Sequence, residues 1–156
     1  TLIVARLTDL PAALTAICDA AGYAGAMHIS QSPEGLPAFS GGACLSALDL
    51  ARFGLLFASG GKGLDGRPVG SSAYLRACLR SEGPPLSAHR PWQRYAGHLM
   101  TDGTRIGHAG YGGQYLMVDL ETRRVALYLG VVENESGHDD RLMAGVARKL
   151  AVLCRE

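Results

Sequence analysis

Apolar residues repeat with two different periods along this chain. In residues 9–21, 46–60 and 72–80 they recur at helical spacing, and Ser, Asp or Gly stands where most of these segments begin or end. From Trp92 onwards, short apolar runs alternate with polar and turn residues. The pattern therefore predicts helices in the first part of the chain and antiparallel strands in the second.

Two of the predicted helices have clear end signals. Asp9 can cap the first helix, Pro11 is tolerated in its first turn, and Gly22 ends it. Ser46 and Asp49 form an S-x-x-D capping box at the start of the second helix. These residues are therefore expected to cap the two helices.

The second helix is expected to be mostly buried, because Leu48, Ala51 and Leu55 share one of its faces. Before it, residues 22–42 are predicted to form a long irregular connection, and residues 81–91 are predicted to form a loop.

Four strands are predicted to form one antiparallel sheet, with a closing helix packed on it. The strands are expected near residues 94–100, 104–109, 114–119 and 124–132. Ser136 or Asp139 can cap the closing helix. Its apolar positions are Leu142, Val146, Leu150 and Leu153. This order of elements predicts an α+β fold, an antiparallel sheet with flanking helices.

Composition narrows the class of protein. The 156 residues carry a formal net charge of +1, with 47% hydrophobic and 19% charged residues, which are globular values. Scattered Lys and Arg give no footprint for nucleic acid, and the longest apolar run, Val125 to Val132, is too short for a membrane span. We expect a single incomplete domain, with residues 1–91 mainly helix and loop and residues 92–156 mainly strand.

The four cysteines show no C-x-x-C spacing, which argues against a zinc knuckle or a redox pair. Cys18, Cys44, Cys78 and Cys154 have apolar neighbours and are expected to be buried free thiols. Free thiols favour a reducing, cytoplasmic compartment, although the compartment itself stays open, because a chain that begins at Thr1 gives no information about a signal peptide.

Two motif matches have better structural explanations. GKGLDG, Gly61 to Gly66, fits a dinucleotide-binding fingerprint but follows a helix instead of a strand, so a loop is the better interpretation. SGGK, Ser59 to Lys62, fits the S-x-x-K signature of penicillin-recognising enzymes. Two glycines at a helix end would not hold Lys62 beneath Ser59, so this match is also set aside.

The histidines lack the spacing of a metal site, so no metal is expected. His28, His89 and His138 lie among loop residues and are expected to be solvated, and His98 is expected to lie in a strand. His108 differs from them, because glycines precede and follow it in GHAG.

Two blocks of the chain resemble the serine β-lactamase-like family. They are GGACLSALDLARFGLLFASGGKGLDGRPV and RIGHAGYGGQYLMVDLETRRVALYLGVVEN, in the order and spacing of that family. The family includes class C β-lactamases, D-alanyl-D-alanine peptidases, family VIII-type esterases and 6-aminohexanoate-dimer hydrolases. The resemblance covers the chain from about Gly25 to its end and implies the C-terminal part of a β-lactamase/transpeptidase-like fold.

The resemblance also implies a site. HAG, His108 to Gly110, matches the family's K-T-G or H-x-G triplet on a strand that walls the active site. His108 would supply a hydrogen bond or positive charge to the proton-transfer network, and Tyr111 would supply a backbone N–H to the oxyanion hole. We expect His108 to line a cleft at the sheet edge, within reach of solvent.

The small residues around His108 are implied to bind substrate. Ala109 and Gly110 would let the substrate backbone approach the strand, while Gly112 and Gly113 would allow the turn into the next strand. Ala109 replaces the family's common Thr or Ser, which usually holds a substrate carboxylate. This departure favours an ester or another amide over a penicillin-type acid, unless Ala109 is merely tolerated.

The family's nucleophilic S-x-x-K and its Y-x-N element are not matched in this chain. The resemblance therefore implies the C-terminal portion of a serine hydrolase that works through an acyl-enzyme, without metal or organic cofactor. We expect this chain alone to be inert towards its ester or amide substrate, and to associate with itself or with a complementary N-terminal half. The alternative is a non-catalytic binding module of the same fold.

Overall fold

Six antiparallel strands form the central sheet of the computed structural model, which describes residues 9–38, 41–131 and 139–156. Helices pack on both faces of that sheet, so the α+β prediction is confirmed at this level. The described helices are α1 (Leu10–Ala21), α2 (Ala47–Ala58), α3 (Ser72–Leu79) and α4 (Asp140–Leu153).

The strands of the sheet follow one another in space in their sequence order, and each pairs antiparallel with the next. A separate pair, β1 (His28–Ile29) and β2 (Ala43–Cys44), lies within the connection that was predicted to be irregular. The sheet strands are β3 (Pro85–Ser87), β4 (Arg90–Ala96), β5 (Leu99–Thr101), β6 (Arg105–Ala109), β7 (Tyr115–Asp119) and β8 (Arg124–Tyr128).

The helix ends lie where the capping signals predicted. The Asp9 carboxylate accepts the Ala12 N–H, and Gly22 ends α1 in the left-handed conformation with φ of 68°. Ser46 caps α2, and Asp139 caps α4, while Ser136 lies outside the described residues. The closing helix packs on β7 and β8, as expected.

The buried face of α2 differs from the predicted one. Leu48 is 59% exposed and Leu55 is 46% exposed, whereas Gly54 and Leu56 are buried. The helix approaches the sheet closely at Gly54, where an added Cβ would lie 2.6 Å from Val125 Cγ1. This contact turns the Leu48 face away from the sheet. In α4, likewise, Val146 and Leu150 are buried, but Leu142 and Leu153 are exposed.

The segment predicted as one strand, 94–100, is a hairpin. Ala96 pairs with Leu99, and the two residues between them, Gly97 and His98, have φ of 54° and 63°. Positive φ at both central residues is the geometry of the tight hairpin turn that matches strand twist. The prediction that His98 lies in a strand was therefore wrong. The predicted loop at 81–91 contains β3, so the sheet begins before Trp92.

Strand β7 is buried on both of its faces. Tyr115 and Met117 face the core beneath α4, whereas Leu116 and Val118 face the core beneath α2 and α3. This alternation is the period of two that strands require, and burial of each such side chain contributes about 1.5–3 kcal/mol. The strand thus joins the two hydrophobic cores.

Asp49 ties the first connection to α2. Its buried carboxylate accepts the N–H groups of Ala24 and Gly25 and hydrogen bonds from Ser46 Oγ and Arg52. The Ala24 N–H, together with these other donors, lowers the pKa of Asp49 to about 2. Ser46 Oγ also accepts the Asp49 N–H, so half of the predicted capping box is present and the carboxylate serves the loop instead.

All four cysteines are free thiols, but only Cys78 and Cys154 are buried. Cys44 is exposed on β2, which contradicts the burial that its neighbours predicted. Among the described residues, no helix is long and apolar enough to cross a membrane.

Candidate functional site around His108

His108 and Ala109 end strand β6, and the five residues after them connect it to β7. His108 pairs with Leu116 and Ala109 pairs with Tyr115 in the register of the two strands. Residues 110–114, called here the 110–114 loop, close this hairpin. The loop is held by hydrogen bonds from Gly110 N to Gln114 O, at 2.9 Å, and from Gly113 N to Gly110 O, at 3.3 Å.

The His108 side chain is exposed, as predicted, but β6 is not at an edge of the sheet. It lies between β5 and β7. Strand β5 begins at Leu99, and Met100 already pairs with Gly107, so the end of β6 extends to the turn of the β4–β5 hairpin. Solvent reaches His108 because its neighbouring strand is short.

Two hydrogen bonds orient the His108 imidazole. Nδ1 lies 2.8 Å from the Ala109 carbonyl oxygen, and Nε2 lies 3.3 Å from Tyr95 Oη. A carbonyl oxygen only accepts, so Nδ1 carries the proton of the neutral ring. Nε2 then carries a lone pair, which accepts a hydrogen bond from the Tyr95 hydroxyl.

Tyr95 and His98 belong to the site, although the sequence analysis assigned them no role. Tyr95 meets both histidines edge to face, at centroid distances of 5.9 Å to His108 and 6.5 Å to His98. All three side chains are exposed. The signal available in the sequence was weak, since only the glycine of RYAGH indicates that a turn brings His98 back beside Tyr95.

The turn that carries His98 is anchored from below. Tyr74 Oη of α3 donates to the Gly97 carbonyl at 2.7 Å, and an added Cβ at Gly97 would lie 2.4 Å from that hydroxyl. Desolvation of the hydroxyl raises the pKa of Tyr74, and the charge interaction and hydrogen bond with Cys78 raise it further. An apolar cavity of about 260 Å³ lies beside this anchor and is lined in part by Phe53, Phe57 and Leu99.

The small residues of the predicted site are placed as follows. Ala109 is half-buried and packs on the core beneath α4, next to the buried Tyr115. The space beside Gly110 is occupied by the chain itself, because an added Cβ would lie 2.4 Å from Gln114 Oε1. Gly113 has φ of 97°, a left-handed conformation that favours glycine in the turn. An added Cβ at Gly112 would lie 3.1 Å from Gln114 Nε2.

Tyr111 projects from the tip of the 110–114 loop. Its residue is 72% exposed. Within the described part of the chain, its backbone N–H donates to no acceptor, while the N–H groups of Gly110 and Gly113 are both engaged. Tyr111 therefore offers a free donor beside His108 in the sequence.

Ser59 and Lys62 lie elsewhere and do not form an activated pair. The Ser59 hydroxyl is directed at two backbone carbonyls, Leu56 O at 3.0 Å and Lys62 O at 2.6 Å. Of the other histidines, His28 and His89 are exposed, and His138 lies outside the described residues. No group of three or more His, Cys, Asp or Glu residues within the described ranges could hold a metal ion.

Comparisons of the chain with protein-family models, with curated proteins and with solved structures found no match. The geometry around His108 is therefore the basis for a proposal of function.

Proposed function

We propose that His108 and the 110–114 loop form one wall of the active site of a serine hydrolase that cleaves an ester or amide through an acyl-enzyme. The observation that carries this proposal is the orientation of His108, whose Nδ1 proton is directed at Ala109 O and whose Nε2 is directed outwards to Tyr95. In this tautomer His108 can accept a proton at Nε2, provided that a bound hydroxyl replaces the Tyr95 hydroxyl as the donor there.

The free N–H of Tyr111 supports a role in stabilising a negative charge. Acyl transfer develops an oxyanion, and backbone N–H groups that are already positioned lower its energy without reorganisation. Gly110 and Gly113 cannot serve, because their N–H groups donate within the loop. In the proposal, Tyr111 gives one donor, and the nucleophilic residue itself gives the second.

The nucleophile is proposed to come from a segment other than the described one. Ser59 is the best internal match to S-x-x-K, yet its hydroxyl donates to carbonyls at the end of α2. A serine needs a neighbouring base to attack a carbonyl carbon. The proposal therefore expects a serine and lysine in S-x-x-K, with a Y-x-N tyrosine, in the coding sequence upstream of Thr1 or in a partner chain.

Ala109 supports the choice of substrate class. Its side chain packs towards the core and has no hydroxyl with which to hold a substrate carboxylate. An ester or amide without a neighbouring carboxylate is the substrate that fits this wall best.

A second candidate function is binding without catalysis. The exposed side chains of Tyr95 and Tyr111, on either side of His108 in the sequence, favour it, because exposed tyrosines are common at recognition surfaces. Under this proposal, the same wall binds a peptide or small molecule and no covalent adduct forms.

One experiment separates the two candidates. The chain is expressed alone and together with the coding sequence upstream of Thr1, and both proteins are incubated with a fluorophosphonate probe and p-nitrophenyl esters, then weighed by intact mass spectrometry. The hydrolase proposal expects a stoichiometric serine adduct in the longer protein and none in this chain alone. Absence of an adduct in both proteins would contradict it and favour the binding module.

The role of His108 is tested in the active form. His108→Ala should lower kcat/KM by roughly 10- to 1000-fold, the range for loss of one positioned polar group. His89→Ala is the matched control, because His89 is exposed in the β3–β4 turn, at the opposite end of β4 from Tyr95. Full activity of the His108 variant would contradict the assignment.

A further inference from the structure

A second site lies at the opposite end of β7 from His108. A cavity of about 210 Å³ is bounded by the ends of α1 and α2 and by the turn between β7 and β8. His108 aligns with Leu116 near the start of β7, whereas Arg123 follows its end at Asp119. The two places are therefore separated by the length of the strand, and a ligand in this cavity is independent of the proposed hydrolase.

Of the described residues that line the cavity, three are cationic and none is acidic, the cationic ones being Arg52, Lys62 and Arg123. Arg52 is neutralised by Asp49, at 3.0 Å. Among the ion pairs of the described residues, neither Lys62 nor Arg123 has a carboxylate partner. Two uncompensated positive charges therefore face one small cavity.

The helix ends work against these charges but do not cancel them. Each helix C-terminus is equivalent to about half a negative charge, and two of them, those of α1 and α2, border the cavity. Set against the two unpaired cations, they leave roughly one net positive charge. The last carbonyls are also engaged, since Ala20 O accepts the Leu64 N–H and Leu56 O accepts the Gly61 N–H.

Apart from Ser59, the other described lining residues are apolar or glycine. Leu55 and Leu64 both line the cavity and are 46% and 77% exposed, so apolar surface is accessible there. Leu56 forms part of the buried lining. A volume of about 210 Å³ is below the range of roughly 300–1,000 Å³ that drug-sized ligands occupy, so the ligand is small.

Arg123 occupies an unusual backbone position. Its φ is 59°, in the left-handed region that glycine and asparagine adopt most readily. Glycine would adopt this backbone conformation with less strain, but arginine at this position places a guanidinium group at the cavity. Guanidinium groups bind carboxylates and phosphates through two parallel hydrogen bonds.

We propose that this cavity binds a small anionic amphiphile, a carboxylate or phosphate group on a short apolar chain. The headgroup pairs with Lys62 and Arg123 at the rim, and the chain covers Leu55 and Leu64. A carboxylate and a phosphate both present negatively charged oxygen atoms that accept hydrogen bonds from Lys62 and Arg123. The proposed ligand is therefore defined by an anionic headgroup joined to an apolar tail.

The test is titration calorimetry of the chain with four probes that share one alkyl chain: octanoate, octyl phosphate, octanol and octylamine. The proposal expects saturable binding of octanoate or octyl phosphate, and much weaker binding of octanol and octylamine. Binding of both anions supports the general headgroup, and binding of one identifies it. Equal binding of octylamine or octanol, or no binding of either anion, would overturn the proposal.

Variants separate a real site from general attraction to a surface. Lys62→Gln and Arg123→Gly should each weaken anion binding roughly two- to fivefold, the effect of a partly exposed ion pair. Lys149→Gln is the control, because Lys149 is exposed on α4, on the other face of the sheet. Arg123→Gly relieves the backbone, so a loss of binding cannot be assigned to unfolding. An equal loss in the Lys149 variant would overturn the assignment.

Discussion

The two turns at the ends of strand β7 hold their backbones in different ways. The 110–114 loop uses glycines with a glutamine side chain packed over them, and Gln114 Nε2 donates to Gly130 O at 3.0 Å. The turn at residues 120–123 has no glycine and is held by the Asp119 carboxylate, which accepts the N–H groups of Glu121 and Thr122. The first arrangement leaves the Tyr111 N–H without an acceptor among the described residues, and the second engages the N–H groups of Glu121 and Thr122. A site that binds through the backbone is therefore more plausible at the first turn, and one that binds through side chains at the second.

The largest expected effect is at the second turn. Asp119→Ala should lower the free energy of unfolding by about 3 kcal/mol, because two N–H groups lose their acceptor and Arg105 loses a buried carboxylate 3.6 Å away. Urea unfolding measures it. Asp65→Ala is the control, since Asp65 accepts the Arg67 N–H in an exposed turn. Equal losses in the two variants would show that burial of the carboxylate does not matter.

A second carboxylate-held segment, the one bound by Asp49, extends the comparison to pH. The Ala24 N–H and its companions hold the pKa of Asp49 at about 2, below its ordinary value of 3.8. A lowered pKa in the folded state contributes stability above the ordinary pKa, and this contribution is lost as the pH falls from about 4 to about 2. As the pH falls through this window, the midpoint temperature of thermal unfolding should therefore decrease more steeply for the wild type than for Asp49→Asn. Parallel curves would contradict the prediction.

A smaller effect is expected at the first turn. Gln114→Ala removes one partly buried hydrogen bond to Gly130 and should cost about 1 kcal/mol of unfolding free energy. Hydrogen exchange should also become faster at Gly110 and Gly113, whose N–H groups close the loop. Unchanged exchange at both residues would show that the glutamine does not hold the loop.

The smallest expected change is a gain. Arg123→Gly should raise the free energy of unfolding by about 0.5–1 kcal/mol, because glycine adopts φ of 59° without steric cost. Arg123→Ala is the matched control, since it removes the same charge but keeps the Cβ and should give no gain. A gain of equal size in both variants would assign the effect to charge and not to the backbone.

Elements whose signals are local were predictable from the sequence. Asp9, Gly22, Ser46 and Asp139 lie at helix ends because their side chains or conformations satisfy the backbone groups there. Strand β7 was also predictable as a strand, because it is a short apolar run bounded by turn residues. These signals need only a few neighbouring residues.

Features that depend on distant contacts were not predictable. Tyr95 meets His108 because β5 is only a short strand between β4 and β6, and nothing in RYAGHLM separates a two-residue turn from a continuous strand except one glycine. The sequence predicts that Asp49 is a capping residue, but its carboxylate accepts the N–H groups of Ala24 and Gly25, which lie 25 and 24 residues earlier in the chain. Arg123 carries no sign of its left-handed backbone, because arginine rarely occupies such a position.

The consecutive order of the sheet has a consequence for how the chain folds. Every strand from β3 to β8 pairs with its neighbour in sequence, so each pairing closes only a short loop and can form as the chain leaves the ribosome. Helix α4 is synthesised after all of these strands, and until it arrives the Met100, Met117 and Ala126 face is without the helix that covers it. Synthesis therefore passes through an interval in which a nearly complete sheet is prone to aggregate, and the fourteen residues of α4 end that interval.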